Sequence, residues 1–249
     1  LEFASRVDGK MHACGHDCHA AMLLGVTKIL SEMKDKFSGN IKLFFQAAEE
    51  IGLGAKLSIE QGVMDNVDAC YGVHVTPRFE SPKINMQYGE RMAATDVFKL
   101  TVEGTSSHGS SPHLGHDAIV ASAAIITALQ TIVSRINNPL KPAVVTIGTI
   151  KGGQRFNIIA NEVIMEGNVR TFDEIFRKEI ETHIREIAES VAKAHSCTAK
   201  LEYRYGTGVV LNKDKNLVDI AQNAVKKLCG EDSLVEMEKI TGGEDFSLL

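Results

Sequence analysis

The segment Met11–Lys34 reads MHACGHDCHAAMLLGVTKILSEMK and joins a cluster of metal-binding residue types to an amphipathic pattern. Between His12 and His19 stand three histidines, two cysteines and one aspartate. From Ala20 to Lys34 apolar side chains recur at every third or fourth position, which predicts a helix with one apolar face. The cluster therefore leads directly into a helix.

Two β-rich runs follow, separated by a short helical pattern. Ile41–Gln46 precedes the acidic pair Glu49 and Glu50, and Asp68–Val75 contains His74 close to its end. Strands that alternate with helices at this spacing predict an α/β domain with a mostly parallel sheet. Functional groups gather beyond the carboxyl ends of such strands. We therefore expect the acidic pair, His74 and the cluster at one edge of one sheet.

Residues 95–205 have the pattern of a separate α+β domain. The order β-α-β-β-α-β is that of a ferredoxin-like sandwich, inserted between residues 1–94 and 206–249 of the first domain. The predicted elements are strands at Asp96–Glu103, Ala143–Ile150, Asn161–Arg170 and Thr198–Tyr205 and helices at Asp117–Ile136 and Asp173–Ala194.

Composition excludes several classes of partner. The chain has 249 residues and a net charge of −5 with no basic stripe, which argues against nucleic acid. The apolar stretch Ala118–Leu129 is too short to cross a membrane, so we expect no membrane partner. The five cysteines are scattered and odd in number, which indicates a reducing compartment, the cytoplasm.

The histidine and cysteine cluster is open to two interpretations. Cysteine, histidine and carboxylate are ligands of zinc and related divalent ions, so His12, Cys14, His16 and His19 could form a closed structural site. Alternatively the cluster is one corner of a larger site, because ligands at alternate positions of one segment rarely surround a single tetrahedral ion. In that case we expect His19 to support the ligands and Asp17 to orient a ligand imidazole.

The acidic pair and His74 also have ordinary explanations. Glu49 and Glu50 suit the first turn of a helix, and a single histidine in an apolar run is usually an interior residue. Beside a metal cluster, one glutamate could bind the ion while the other accepts a proton from the attacking water. His74 would then be a further ligand.

Three residues of the inserted domain are candidates for contact with a substrate. His108 lies in a glycine-rich loop and could stabilise an oxyanion, in its own or a neighbouring subunit, although the loop could equally be an ordinary turn. Asn157 and Arg170 are natural partners of a substrate carboxylate.

Taken together, the motifs resemble the amidohydrolase branch of the zinc metallopeptidase family M20, which includes N-acyl-amino-acid amidohydrolases, hippurate hydrolases and auxin-conjugate hydrolases. The matching stretches are GKMHACGHDCH, FFQAAEE, GVHV, GTSSHGSSPHLGHDA, GGQRFNIIANEVIMEGNVRT and GGEDF. The resemblance implies a metallohydrolase domain with an inserted lid or dimerisation domain, and therefore a homodimer. Its implied ligands are Cys14, His16, Glu50 and His74, with Glu49 as general base and His108 as an oxyanion-stabilising lid residue.

The resemblance also implies one or two zinc, manganese, cobalt or nickel ions and an N-acyl amino acid or short peptide as substrate. Family members have an additional N-terminal segment and a further histidine ligand beyond GGEDF, so we expect this chain to be a fragment that by itself binds metal poorly and has little activity. The alternative is a non-catalytic metal-binding or dimerisation module. A redox role for Cys14 and Cys18 is disfavoured by their spacing.

Overall fold

The computed structural model describes residues 2–249, which divide into two compact units. We call them the cluster unit and the sheet unit. The cluster unit comprises 2–86, 221–235 and 249, and the sheet unit comprises 87–220 and 236–248.

The cluster unit contains two complete helices, residues 221–229 of a third, and a few short turns. Helix α1 spans His16–Glu32 and helix α2 spans Gly54–Glu60. Short 3₁₀ turns lie at Lys34–Lys36, Glu49–Ile51 and Glu231–Ser233. Helix α1 begins four residues before the predicted start at Ala20, so that His16 and His19 lie on its first turn.

The parallel sheet predicted for this unit does not form in the part of the chain that the structure describes. Neither Ile41–Gln46 nor Asp68–Val75 takes part in a β-ladder. A strand exists only through hydrogen bonds to a neighbouring strand, and a β-rich composition does not supply that neighbour. The unit instead has one isolated parallel bridge, between Ile84 and Leu234.

The apolar face of α1 is consistent with this absence of a sheet. No residue of α1 is buried, and Leu24 and Ile29 are 62% and 57% exposed. The cluster unit is therefore held by local turns and side-chain contacts more than by a core.

The sheet unit contains all the assigned strands of residues 2–249. In chain order its elements are β1 (Gly89–Met92), β2 (Ala94–Glu103), α3 (Ala118–Thr131), β3 (Ala143–Gly152), β4 (Glu162–Thr171), α4 (Glu174–Ala194), β5 (Thr198–Tyr205) and β6 (Val210–Asn212). Helix α5 spans Lys215–Cys229. The strands β2 to β5 form one antiparallel sheet in the order β3-β4-β2-β5, and β1 pairs with β6. The β-α-β-β-α-β order expected from the sequence is thus present.

The core of the sheet unit lies between this sheet and the helices α3 and α4. Ala121, Ile125 and Leu129, which are four residues apart along α3, are completely buried, as are Leu100 of β2 and Met165 of β4. The period of four on the helix and of two on the strands is the pattern from which these elements were predicted.

The helix predicted at Asp117–Ile136 is present over its whole length. The helical conformation continues from α3 through a π-helical turn to Ile136, and these nineteen residues are long and apolar enough to cross a membrane by length and composition. The apolar stretch therefore continues beyond Leu129, and a helix in the core of a domain meets the same criterion. In this structure one face of α3 packs in the core described above, as expected of a core helix.

A buried charge pair joins Asp96 of β2 to Arg177 of α4, and neutral donors at the end of β5 bind the same carboxylate. Asp96, only 2% exposed, accepts hydrogen bonds from Arg177 Nε at 2.9 Å, Tyr203 Oη at 2.9 Å and the Gly206 backbone N–H at 3.0 Å. Burial, reinforced by the Asp96 charge, raises the pKa of Tyr203, so its phenol remains a neutral donor. Both oxygens of the buried Asp96 carboxylate therefore accept hydrogen bonds, as a buried charge requires.

Candidate metal centre

The loop before α1 directs two side chains of the cluster to the same place. Gly15 separates Cys14 from His16 and adopts φ +80°, the left-handed region that favours glycine. A Cβ at Gly15 would lie 2.3 Å from Val75 Cγ2. The absence of a side chain therefore lets this loop approach the segment that carries His74.

The acidic pair lies on a tight turn. Ala48 at φ +62° and Gly52 at φ +64° flank the 3₁₀ turn Glu49–Ile51, and Gly52 N–H donates to the Glu49 carbonyl at 2.7 Å. Both carboxylates approach one imidazole: His16 Nε2 is 3.7 Å from Glu49 Oε2 and 3.6 Å from Glu50 Oε1. The turn thus presents two neighbouring glutamates to a single histidine.

In its neutral form, the His74 ring has the tautomer of a metal ligand. Its Nδ1 lies 2.7 Å from the carbonyl oxygen of Val75, which can only accept, so Nδ1 carries the proton. The lone pair is then on Nε2, which faces Cys14 Sγ at 3.4 Å. A backbone carbonyl that fixes the ligand tautomer in this way is typical of metal-binding histidines.

His19 contacts the same backbone from the other side. The Val75 N–H donates to His19 Nε2 at 3.0 Å, and the rings of His19 and His74 lie 4.6 Å apart. Burial, together with His74 and His16, lowers the pKa of His19, and Asp17 opposes this shift. A neutral imidazole that accepts at Nε2 is the form this hydrogen bond needs.

The donor atoms fit a divalent ion. Cys14, His16 and His74 offer ligand atoms within 4.8 Å of one another, and so do His16, Glu49 and Glu50. Zinc–sulfur and zinc–nitrogen bonds of about 2.3 and 2.1 Å at a tetrahedral angle put two donors about 3.6 Å apart. The Cys14 Sγ–His74 Nε2 separation of 3.4 Å is close to that value. The 3.7 and 3.6 Å from His16 Nε2 to the oxygens of Glu49 and Glu50 are longer than ordinary hydrogen bonds.

The geometry supports the larger site over the closed one. Among the residues that the structure describes, His12 belongs to neither donor group, and His19 uses Nε2 to accept from Val75. Donors converge instead from three separate segments of the chain, around residues 14–16, 49–50 and 74. Asp17 is exposed on the first turn of α1.

The other candidate residues lie in the sheet unit. The His108 loop packs on the Asn157 loop, where Gly109 N–H donates to the Asn157 carbonyl at 2.8 Å. A Cβ at Gly109 would lie 3.0 Å from that oxygen, so glycine permits the contact.

Arg170 is not brought to the same place within this chain. It lies near the end of β4, paired with Thr95, whereas Asn157 precedes the start of β4 at Glu162. At about 3.3 Å per residue these two ends of the strand are about 26 Å apart. The Arg170 guanidinium contacts Asn168 Oδ1 at 3.4 Å.

Two contributors to these sites were missed by the sequence analysis. The Val75 backbone binds both His19 and His74, and Ser110 contacts His108. Backbone groups carry no residue-specific signal, and the only trace of the second contact is the His-x-Ser spacing.

Comparison with known proteins agrees with this site. The model of peptidase family M20/M25/M40 matches residues 1–249. The chain belongs to this family. The family recognised from the sequence motifs is therefore confirmed.

Among its relatives, the chain is 39% identical over 247 residues to the N-acetyl-L-cysteine deacetylase of Bacillus subtilis (strain 168), which covers 99% of this chain and 59% of the relative. It is 41% identical over 216 residues to the N-acyl-L-amino acid amidohydrolase of Geobacillus stearothermophilus, covering 86% and 58%. The crystal structure of a dinuclear metal-binding M20 peptidase from Bacillus subtilis superposes with a TM-score of 0.83 at 34% identity, covering all of this chain and 63% of the other. The M20 chain thus spans about three fifths of the length of these relatives.

Proposed function

We propose that this M20 chain carries the metal centre of an amidohydrolase that cleaves the amide bond of N-acyl amino acids or short peptides. One observation carries the proposal. Three separate segments bring together the ligand atoms of Cys14, His16 and His74, and those of His16 and the two glutamates, within 4.8 Å of one another in each group. Relatives named as a deacetylase and an N-acyl-amino-acid amidohydrolase support the substrate class.

The proposed ligands are Cys14, His16, Glu50 and His74. Thiolate, imidazole and carboxylate together suit zinc, manganese, cobalt or nickel. Two donor groups that share His16 suit either one ion or two adjacent ions. A bound ion of this kind would acidify a water molecule and polarise the acyl carbonyl.

Glu49 is the proposed general base. Its side chain is 23% exposed against 66% for Glu50, so it is the more enclosed of two carboxylates at similar distances from His16. Glu49 would take the proton of the attacking water and pass it to the leaving amine. His19 would hold the Val75 backbone, and through it His74, in place, while Asp17 would orient a ligand imidazole.

The sheet unit would contribute the contacts to substrate. His108 would donate to the oxyanion, and Asn157 and Arg170 would bind the substrate carboxylate. Because Asn157 precedes the start of β4 and Arg170 lies near its end, we propose that one chain does not supply both to one ligand. This separation supports a homodimer in which residues 95–205 act as lid and dimerisation domain.

The remaining parts of the proposal concern the rest of the molecule. We assign residues 1–94 and 206–249 to the metallohydrolase domain, whose segments 41–46 and 68–75 would become parallel strands once neighbouring strands pair with them. None of the five cysteines forms a disulfide in the described residues, which supports the cytoplasm as location. A non-catalytic module is disfavoured, because the relatives are named as hydrolases and Glu49 is retained.

The test replaces Glu49 by Gln in the complete gene product. We expect bound metal, measured by inductively coupled plasma mass spectrometry, to stay unchanged, while hydrolysis of acetyl-, benzoyl- and indoleacetyl-amino acids falls at least 100-fold. Glu60→Gln, at an exposed position on α2, is the matched control and should leave both quantities unchanged. Full activity in Glu49→Gln would disprove the general-base role.

A further inference from the structure

The backbone of His108 is fixed by its neighbours in the sheet unit. Its carbonyl accepts from Ser111 N–H at 2.7 Å, Gly109 N–H donates to Asn157 at 2.8 Å, and Ile159 N–H donates to the Ser107 carbonyl at 2.9 Å. Backbone hydrogen bonds therefore hold the chain at Ser107, at His108 and at Gly109. What remains to be set is the direction of the imidazole ring and the position of its proton.

Ser110 sets both. Its hydroxyl lies 2.7 Å from His108 Nδ1, and its backbone N–H lies 3.2 Å from the same atom. A backbone N–H can only donate, so Nδ1 must be the acceptor of the ring. The neutral imidazole then carries its proton on Nε2. In this tautomer the hydroxyl also donates to Nδ1, so both contacts favour one protonation state and one ring orientation.

The consequence is an outward-facing donor. In the described residues the His108 ring makes no hydrogen bond other than those from Ser110, and the side chain is exposed. Nε2–H is therefore the group that His108 presents. The other tautomer would present a lone pair, which repels a negatively charged oxygen, so the state that Ser110 favours is the one that an oxyanion needs.

We propose that Ser110 is a positioning residue for the hydrolytic reaction: it holds the ring of His108 in one orientation with the proton on Nε2. The inference rests on the proposed function only for the reaction step in which His108 takes part. The claim about the ring itself concerns this chain alone.

The first test measures the ring directly. Long-range ¹H–¹⁵N correlation spectra of the ¹⁵N-labelled chain are recorded near pH 8.5, about two units above the pKa of an ordinary imidazole. The His108 signal is identified among the nine histidines with His108→Gln. We expect the Nε2–H tautomer in the wild type and a ratio of tautomers about fivefold smaller in Ser110→Ala, since one hydrogen bond is lost. Ser110→Thr keeps the hydroxyl and should retain the wild-type ratio.

Ser106→Ala is the matched control, because Ser106 is an exposed serine of the same loop with no side-chain hydrogen bond in the structure. It should leave the His108 signal unchanged. A wild-type ring protonated on Nδ1, or an unaltered ratio in Ser110→Ala, would overturn the inference.

The second test uses kinetics of the complete gene product. Ser110→Ala should lower kcat by up to fivefold with little change in KM, and Ser110→Thr should restore it. In a His108→Gln background Ser110→Ala should have no further effect, because Ser110 acts through His108. A further loss in that background contradicts the positioning role. If His108→Gln alone leaves kcat unchanged, the proposed role of His108 in the reaction fails, whereas the spectra still decide the claim about Ser110.

Discussion

At the scale of single residues, the proposed metal centre depends on positions with no functional group of their own. Gly15 brings Cys14 and His16 against the segment of His74 because it has a positive φ and no Cβ. The sequence shows a glycine between two ligand types, which by itself suggests only flexibility. Because Gly15 lies so close to Val75, a larger residue at this position would move Cys14 and His16 away from His74.

We expect Gly15→Ala to weaken zinc binding about tenfold or more. The left-handed conformation costs a non-glycine residue roughly 1–2 kcal/mol, and about 1.4 kcal/mol is a factor of ten in affinity. The added Cβ would also meet Val75 Cγ2 at 2.3 Å. Affinity is measured by competition with a chromophoric chelator. Gly25→Ala in α1, where a Cβ meets nothing within 4 Å, is the control and should bind zinc normally; equal affinities in the two variants would contradict the explanation.

At the scale of elements, the sequence specifies the helices of the sheet unit through their first residues. Asp173 caps α4, because its Oδ1 accepts from Ile175 N–H at 2.9 Å and from Phe176 N–H at 3.1 Å. Asp117 caps α3 in the same manner. The side-chain hydrogen bond from Lys141, followed by the one from Phe176 N–H, lowers the pKa of Asp173.

We expect Asp173→Ala to lower the free energy of unfolding by about 1 kcal/mol, as the loss of a helix cap usually does. The pKa of Asp173 is lower in the folded state than in the unfolded state. Its contribution to the free energy of unfolding is therefore fully present above the unfolded-state pKa of about 4, and it is lost as the pH falls through the folded-state pKa. Urea titrations between pH 2 and pH 7 measure both effects. Asp173→Asn keeps a good cap and should be nearly as stable as the wild type at pH 7 but show a weaker loss of stability in acid. An identical acid dependence in both proteins would refute the role of the carboxylate.

At the scale of the whole molecule, the two units differ in what holds them. The sheet unit has a continuous buried core between its four-stranded sheet and two helices, whereas α1 of the cluster unit buries no residue. A site whose donors come from three segments links those segments when an ion binds. Metal binding would therefore contribute directly to the stability of the unit that holds the proposed ligands.

We expect zinc to raise hydrogen-exchange protection selectively. Amides of residues 14–32, 48–54 and 72–76 should exchange at least tenfold more slowly with zinc, since the ligands lie in or beside them, while β2 and β4 should not change. Mass spectrometry of the exchanged complete gene product with and without zinc measures this. His74→Ala removes one ligand and should abolish the difference. Uniform protection of both units, or none in the cluster unit, would argue against a metal centre at these residues.

The sequence by itself determined the elements of the sheet unit and the kinds of ligand at the proposed metal centre. Apolar periods of two and of three to four residues are local, and strands such as β5 were predicted with the bounds that the structure has. Cysteine, histidine and glutamate likewise show their chemistry by residue type. The family followed from the order of these motifs along the chain.

Only the tertiary structure decided which of these groups meet. Cys14 and His74 are in contact although 60 positions separate them in the sequence, and His19 accepts a hydrogen bond from the Val75 N–H. Arg170 and Asn157 lie apart by the length of a strand. The tertiary structure also left Ile41–Gln46 and Asp68–Val75 without a ladder, which their composition did not foretell. The physical reason is the same in each case: periodicity and residue type are properties of a segment, whereas distances, tautomers and strand pairing are properties of contacts between segments.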